Sequence, residues 1–202
     1  MSQTHDASRG EVTRARLLAA ATTAFAEKGF HGTTTRDIAQ AAGMSPAALY
    51  VHHRSKEELL HLISREGHLT TLRLVREAVA STEDPALALR RLVHDFAIHH
   101  AEGHTGARIV NQELAALSPE HLVEIRGIRD EIDSEVRRLV DRGVAAGRFD
   151  VADSRLAAAA LLSLGIDLAR WYREDVRWSP EQIAERYAEM ALRLVGSAAG
   201  PA

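Results

Sequence analysis

The run Thr33-Thr34-Thr35-Arg36-Asp37-Ile38-Ala39-Gln40-Ala41-Ala42-Gly43-Met44-Ser45-Pro46-Ala47-Ala48-Leu49-Tyr50 decides the fold. Thr34 followed three residues later by Asp37 is the signature of a reciprocal helix cap, hydroxyl on one backbone N–H and carboxylate on the other. Ile38, Ala39 and Ala42 then recur on one helical face. Gly43 stands where the chain must turn between two crossing helices, a place that asks for a positive φ, which glycine adopts without strain. Ser45-Pro46 starts the next helix with a capping hydroxyl and a proline whose missing N–H costs nothing at the first helical position. Two short helices over 35–42 and 46–52, joined by a glycine turn, make a helix-turn-helix. The second is narrow enough to lay its N-terminal residues along base edges in a major groove.

Working outward, Leu17, Leu18, Ala21, Ala24 and Phe25 share one face of a helix over 11–28, and Gly29 lets the chain leave it. Downstream, Ser55…Glu58, Asp84-Pro85, Ser118-Pro119 and Ser179-Pro180 open helices over 56–81, 85–102, 119–146 and 180–196. Periodic runs predict two more over 105–116 and 153–174, and the tail over 197–202 reads as frayed. No stretch alternates as a strand would. The expectation is an all-α chain of about nine helices, with a helix-turn-helix domain over 1–56 and a helical ligand-sensing and dimerisation domain over 57–202.

Composition narrows the chemistry. With 202 residues and 46% hydrophobic content the chain can build two cores, and with no cysteine it offers no disulfide, thiolate nucleophile or cysteine zinc site. The net charge of −3 is unevenly spread: seven cations and three anions lie between Arg9 and Lys56, so the rest is acidic. A basic segment on an acidic body suits a nucleic-acid reader joined to a domain with another partner. The polar start lacks an apolar export core and no run approaches bilayer length, so the expected location is the cytoplasm, with no membrane association.

Phe25-Ala26-Glu27-Lys28-Gly29-Phe30, Thr33 to Ala39, Ala42-Gly43, Leu49-Tyr50 and Ser55-Lys56-Glu57-Glu58-Leu59 together resemble the DNA-binding domain of TetR-family repressors. That resemblance implies a homodimer on a palindromic operator, released by a small-molecule effector. Thr34, Thr35 and Arg36, at a helix N-terminus, offer donors and charge to a phosphate. Tyr50 and His52 can hold the backbone, and Lys56 adds its charge at the start of the next helix. Base reading falls to Ser45, Pro46, Ala47 and Ala48; the alanines cannot hydrogen-bond a base edge, so close approach and thymine-methyl contact are expected there. The family usually places an aromatic where this chain has His53. A histidine there is expected to hydrogen-bond a nearby carbonyl, the alternative being a looser, pH-sensitive contact.

For the larger domain, a helix beginning at Lys56 and running far past the head reads as a rigid lever. Helices near 153–174 and 180–196, rich in small and apolar residues, are the expected dimer interface. Polar residues on otherwise apolar helices, Arg108, Asn111, Gln112, Arg126, Arg170 and Trp171, are the effector-binding candidates, with Glu113 and Arg129 beside them. Asn111-Gln112-Glu113-Leu114 with Arg170-Trp171-Tyr172-Arg173 and Ser179-Pro180-Glu181 resembles actinobacterial family members that control lipid or steroid breakdown. Several of those respond to acyl-CoA thioesters, so an acyl-CoA or other lipophilic effector is implied. His94, His99, His100, His104 and His121 raise a metal-responsive alternative, but no carboxylate completes a ligand set, so capping or solvated histidines are expected and no metal site. A helical enzyme is the remaining alternative; no phosphate loop, serine elbow or paired-histidine motif supports it. No catalytic residue and no cofactor are expected.

Overall fold

The computed structural model describes residues 3–197, with side chains from Gly10 onward. Beyond Ser197 the expected fraying lies outside the described residues. Within them the chain forms nine α-helices and one 3-10 turn: α1 (Gln3–Gly32), α2 (Thr35–Ala41), α3 (Pro46–His52), α4 (Lys56–Ala80), α5 (Pro85–Glu102), α6 (His104–Gln112), the 3-10 turn Leu114–Ala116, α7 (Pro119–Ala145), α8 (Ser154–Trp171) and α9 (Pro180–Leu194). No strand occurs among the described residues.

Helix ends differ from expectation where tertiary contacts intervene. Regular α1 geometry is interrupted at Gly29 (φ 69°, ψ 167°), just past the expected end, although the helix begins earlier, at Gln3 rather than near residue 11. The helix expected to reach residue 116 stops at Gln112, and Glu113 accepts a hydrogen bond from the Phe30 N–H at 3.1 Å. The one expected to reach 174 stops at Trp171. Tyr172 turns extended (φ −61°, ψ 138°) and its ring enters a buried cluster of Ala97, Ala101, Leu168, Ile183 and Ala184.

Two compact units share the chain. The first comprises residues up to Gly67 together with 108–125. Its core is Leu17, Ala21, Phe25, Ile38, Ala39, Leu49, Leu59 and Leu60, all essentially inaccessible, with Phe30 sealing one edge. The second comprises 68–107 and 126 onward. There α5 packs along α9 and against α8, burying Leu89, Leu92, Phe96, Ala97, Leu161 and Leu168. Gly165 lets α8 approach α5 closely, because a Cβ at that position would run into the Phe96 ring.

Candidate nucleic-acid interface

The head is built as its punctuation demands. Thr34 caps α2 by accepting from the Asp37 N–H at 3.1 Å, and the Asp37 carboxylate accepts from the Thr34 N–H at 2.9 Å. Hydrogen bonds from the Thr34 side chain and backbone, with Lys28 at 3.2 Å, hold the Asp37 carboxyl at about 2. The cap is therefore ionised across the ordinary pH range. Gly43 takes φ 67°, and the Gly43 and Met44 N–H groups close α2 onto the Gln40 and Ala39 carbonyls at 2.9 and 2.8 Å. Arg16 reaches from α1 to the Ala42 carbonyl at 2.7 Å, fixing the turn against the first helix. Ser45 then caps α3, accepting from the Ala48 N–H at 3.2 Å.

Most of the expected DNA contacts come together on one face. Thr34, Arg36, Ser45, Pro46, Ala47 and Tyr50 are exposed, and Thr35, Ala48 and His52 are half-buried. Thr35 Oγ1 and Tyr50 Oη lie 3.1 Å apart, so the start of α2 and the outer face of α3 form a continuous polar edge. Lys56 is placed differently from a free surface cation. Its Nζ donates to the Phe30 and Thr33 carbonyls at 2.7 and 2.8 Å and sits 4.3 Å over the Phe30 ring. One N–H of the ammonium remains beyond those two bonds. Absent from the sequence reading is Val51, with 78% of its surface exposed on α3.

His53 corrects an expectation. It ends α3 in an extended conformation (φ −139°, ψ 134°), and that backbone sends its ring inward, where it is 3% exposed. Neither ring nitrogen has a hydrogen-bond partner, so the expected bond to a carbonyl is not made. Desolvation lowers the imidazole pKa below the ordinary histidine value, only partly opposed by Glu58 and reinforced by His52 and Arg14.

The start of α4 is fastened to the segment 108–125. Glu57 accepts from the Ser118 N–H and from His121 Nδ1, each at 2.8 Å. His61 donates through Nε2 to Glu124 at 2.8 Å, and Arg65 reaches the same carboxylate at 2.7 Å. Between these bridges the His61 and His121 rings stack, centroids 3.7 Å apart and planes within 2°.

The effector candidates fall in both units. Arg108, Asn111 and Gln112 belong to the first unit, whereas Arg126, Arg170 and Trp171 belong to the second. Gln112, Arg126 and Arg170 are exposed, and Arg170 is paired with Asp167 at 2.6 Å on its own helix. Trp171 packs beside Tyr172 and Tyr187 against the buried cluster. The second unit instead carries buried polar side chains, of which sequence reading missed His68 and Thr71 and expected His100 to be capping or solvated. His68, Thr71 and His100 are nearly inaccessible. Thr71 Oγ1 lies 3.3 Å from His99, and Arg129 lies 3.4 Å from His68. His100 donates to the Phe96 carbonyl, and desolvation lowers its pKa to about 4. The spacing of His68 and Thr71 on α4, continuing His61 and Ser64, was the available signal. Among the described residues no three histidine or acidic side chains converge as metal ligands. His94 and His104 bond to Asp95 and to the Ala101 carbonyl. No helix is long and apolar enough to cross a membrane, among the same residues.

Residues 17–63 match the family model described as bacterial regulatory proteins, tetR family, and residues 82–195 match that of the tetracyclin repressor-like C-terminal domain. The chain is 35% identical over 188 residues to the HTH-type transcriptional repressor KstR2 of Rhodococcus jostii, covering 89% of both chains. A solved regulatory protein of the tetR family from Rhodococcus RHA1 superposes with a TM-score of 0.88 at 41% identity, covering 92% of this chain and 98% of the other. The ketosteroid transcriptional regulator KstR2 of Mycobacterium tuberculosis superposes with a TM-score of 0.82 at 27% identity, over 89% and 93% of the two chains. With a capped helix-turn-helix at its head and both domains matched, the chain belongs to the TetR family of DNA-binding transcriptional regulators.

Proposed function

We propose that the protein is a homodimeric repressor that holds a palindromic operator through two copies of the α2–α3 head and lets go when a small lipophilic molecule, an acyl-CoA among the candidates, binds the helical domain. The observation that carries this reading is the edge formed by the exposed Thr34, Arg36, Ser45, Pro46, Ala47 and Tyr50 with the half-buried Thr35, held by two caps and the Gly43 turn. Phosphates are held by that edge with His52 and the remaining N–H of Lys56, and Ala48 lines it. The functional division falls near residue 56, where α4 leaves the head and becomes the lever. The chemistry is binding, not catalysis, and the place of action is the cytoplasm.

Dimerisation is assigned to α8 and α9. Leu156, Met190 and Leu194 are 69%, 49% and 40% exposed, and Ala159 and Ser163 add a small-residue strip beside Leu156. Leaving such side chains in water is unfavourable by roughly 25 cal/mol per Å². The effector sites Arg108, Asn111, Gln112, Arg126, Arg170 and Trp171 remain candidates from resemblance, and the buried His68 and Thr71, with the half-buried His99 and Arg129 beside them, join them on position. The relatives that support the reading are a repressor and a ketosteroid regulator. Selection of binding sites from random duplex DNA by the purified chain, followed by release of the bound duplex with a series of free CoA, acyl-CoAs and sterols, tests it. Enrichment of a palindrome with release by one ligand class is expected; no enrichment contradicts the repressor, and enrichment without release contradicts the sensor.

A further inference from the structure

We infer that Val51 and Ala47 read the C5-methyl groups of thymine in the operator's major groove, so that the exposed arc of α3 reads bases by methyl contact rather than by hydrogen bonds. The inference rests on the DNA-binding reading of α3. Successive residues on a helix are turned by about 100°, which puts Pro46, Tyr50, Ala47 and Val51 on one arc. The accessibilities agree: Pro46, Ala47, Tyr50 and Val51 are exposed, Leu49 is fully buried, and Ala48 and His52 are half-buried at the margins. Ala48 is therefore turned away from the centre of the reading face, and Val51 takes the position expected of it.

The chemistry of that arc is almost wholly apolar. The Ser45 oxygen is held at the N-cap by the Ala48 N–H, ahead of the arc, and the Tyr50 hydroxyl is 3.1 Å from Thr35, drawn back toward the start of α2. On the arc itself, what is left to face base edges is a proline, an alanine methyl and a valine isopropyl group. None can donate to guanine or accept from cytosine or adenine, whereas the thymine C5-methyl is the one major-groove feature recognised by apolar contact. Val51 is also the most exposed large apolar side chain among the described residues. A β-branched side chain on a helix surface has lower helix propensity than a straight one, so folding does not favour it there; burial against a partner methyl does.

The test uses the full-length protein and a palindromic duplex recovered by its own selection from random DNA. Anisotropy titrations compare that duplex with versions carrying deoxyuridine in place of single thymines, a change that removes only the methyl group. Wild type is expected to lose affinity about four-fold per methyl, the worth of one buried methyl group, with both half-sites contributing. Val51→Ala is expected to bind the thymine duplex more weakly by a similar factor and to respond less to the deoxyuridine at one symmetric position. Val51→Thr keeps the shape and places a hydroxyl on the same face, and is expected to fall between the two. Equal wild-type binding to thymine and deoxyuridine duplexes, or an unchanged thymine-to-uridine ratio in Val51→Ala, overturns the inference while leaving DNA binding intact. Failure of wild type to enrich any duplex would instead strike the DNA-binding reading, and this inference with it.

Discussion

His53 is the side chain whose environment conflicts most with its chemistry. A buried polar group without a hydrogen bond costs about 1–3 kcal/mol, and both of its ring nitrogens are in that position. His53→Phe is therefore expected to raise the stability of the head by about 1 kcal/mol or more, read as a higher melting temperature at neutral pH. Because burial lowers the His53 pKa below 6.5, the folded head prefers the neutral ring. The unfolded chain then binds more protons, so stability is complete above 6.5 and falls as pH drops through and below that value. The phenylalanine variant should lose less stability between pH 7.5 and 5.5 than wild type. Melts at those two values decide it, and an equal acid loss in both proteins would refute the assignment. Tyr50 and Lys56 make a second pair of residue-scale predictions. Tyr50→Phe removes the hydroxyl beside Thr35 and should weaken operator binding several-fold with no change in melting. Lys56→Ala unties two carbonyls, so it should lower the melting temperature as well as the affinity; weakened binding with an unchanged melt would show that the ammonium serves DNA alone.

Element boundaries were the most legible part of the sequence, because caps and proline starts are local chemistry. Thr34-Asp37 forms the reciprocal box its spacing predicts, Ser179 caps α9 with Gln182 closing a second such box, and Asp84 caps α5. Illegible were the points where a distant residue decides. The carboxylate of Glu113 lies at Phe30, 83 positions away. The rotation of α3 that exposes Val51 depends on Leu49 finding the core between α1 and α2. The small-residue reading of α8 needed the structure to divide it: Ala157, Ala158 and Gly165 are buried, Gly165 against Phe96 within the subunit, while Ala159 and Ser163 face out. At the end of α9 the apolar side chains divide likewise, Ala191 and the C-cap Val195 inward, Met190 and Leu194 outward. Gly165→Ala should thus destabilise the subunit itself, by about 1–3 kcal/mol as overpacking does, seen in denaturant unfolding. An unchanged midpoint would mean that α5 and α8 do not meet as closely as the structure places them.

At the scale of the molecule, the fold and the DNA head could be read from sequence because both rest on periodicity and turn chemistry. The sensor could not. Its candidates were chosen for polarity on apolar helices, and Arg126 and Arg170 are solvent-facing, whereas the buried His68 and Thr71 were read only as helix content and His100 was expected to be capping or solvated. A sensor side chain is defined by what it faces, and nothing in a single helical period states that. The central claim is that two heads act together on one symmetric duplex. For the selected operator, anisotropy titrations with the intact palindrome, with a single half-site, and with the half-sites pushed apart by about five base pairs, half a helical turn, test it most directly. The account predicts tight binding by two protomers to the intact palindrome, and a large loss, of about a hundred-fold or more, on the other two. Equal affinity for a lone half-site, or indifference to the five-base-pair insertion, would contradict it.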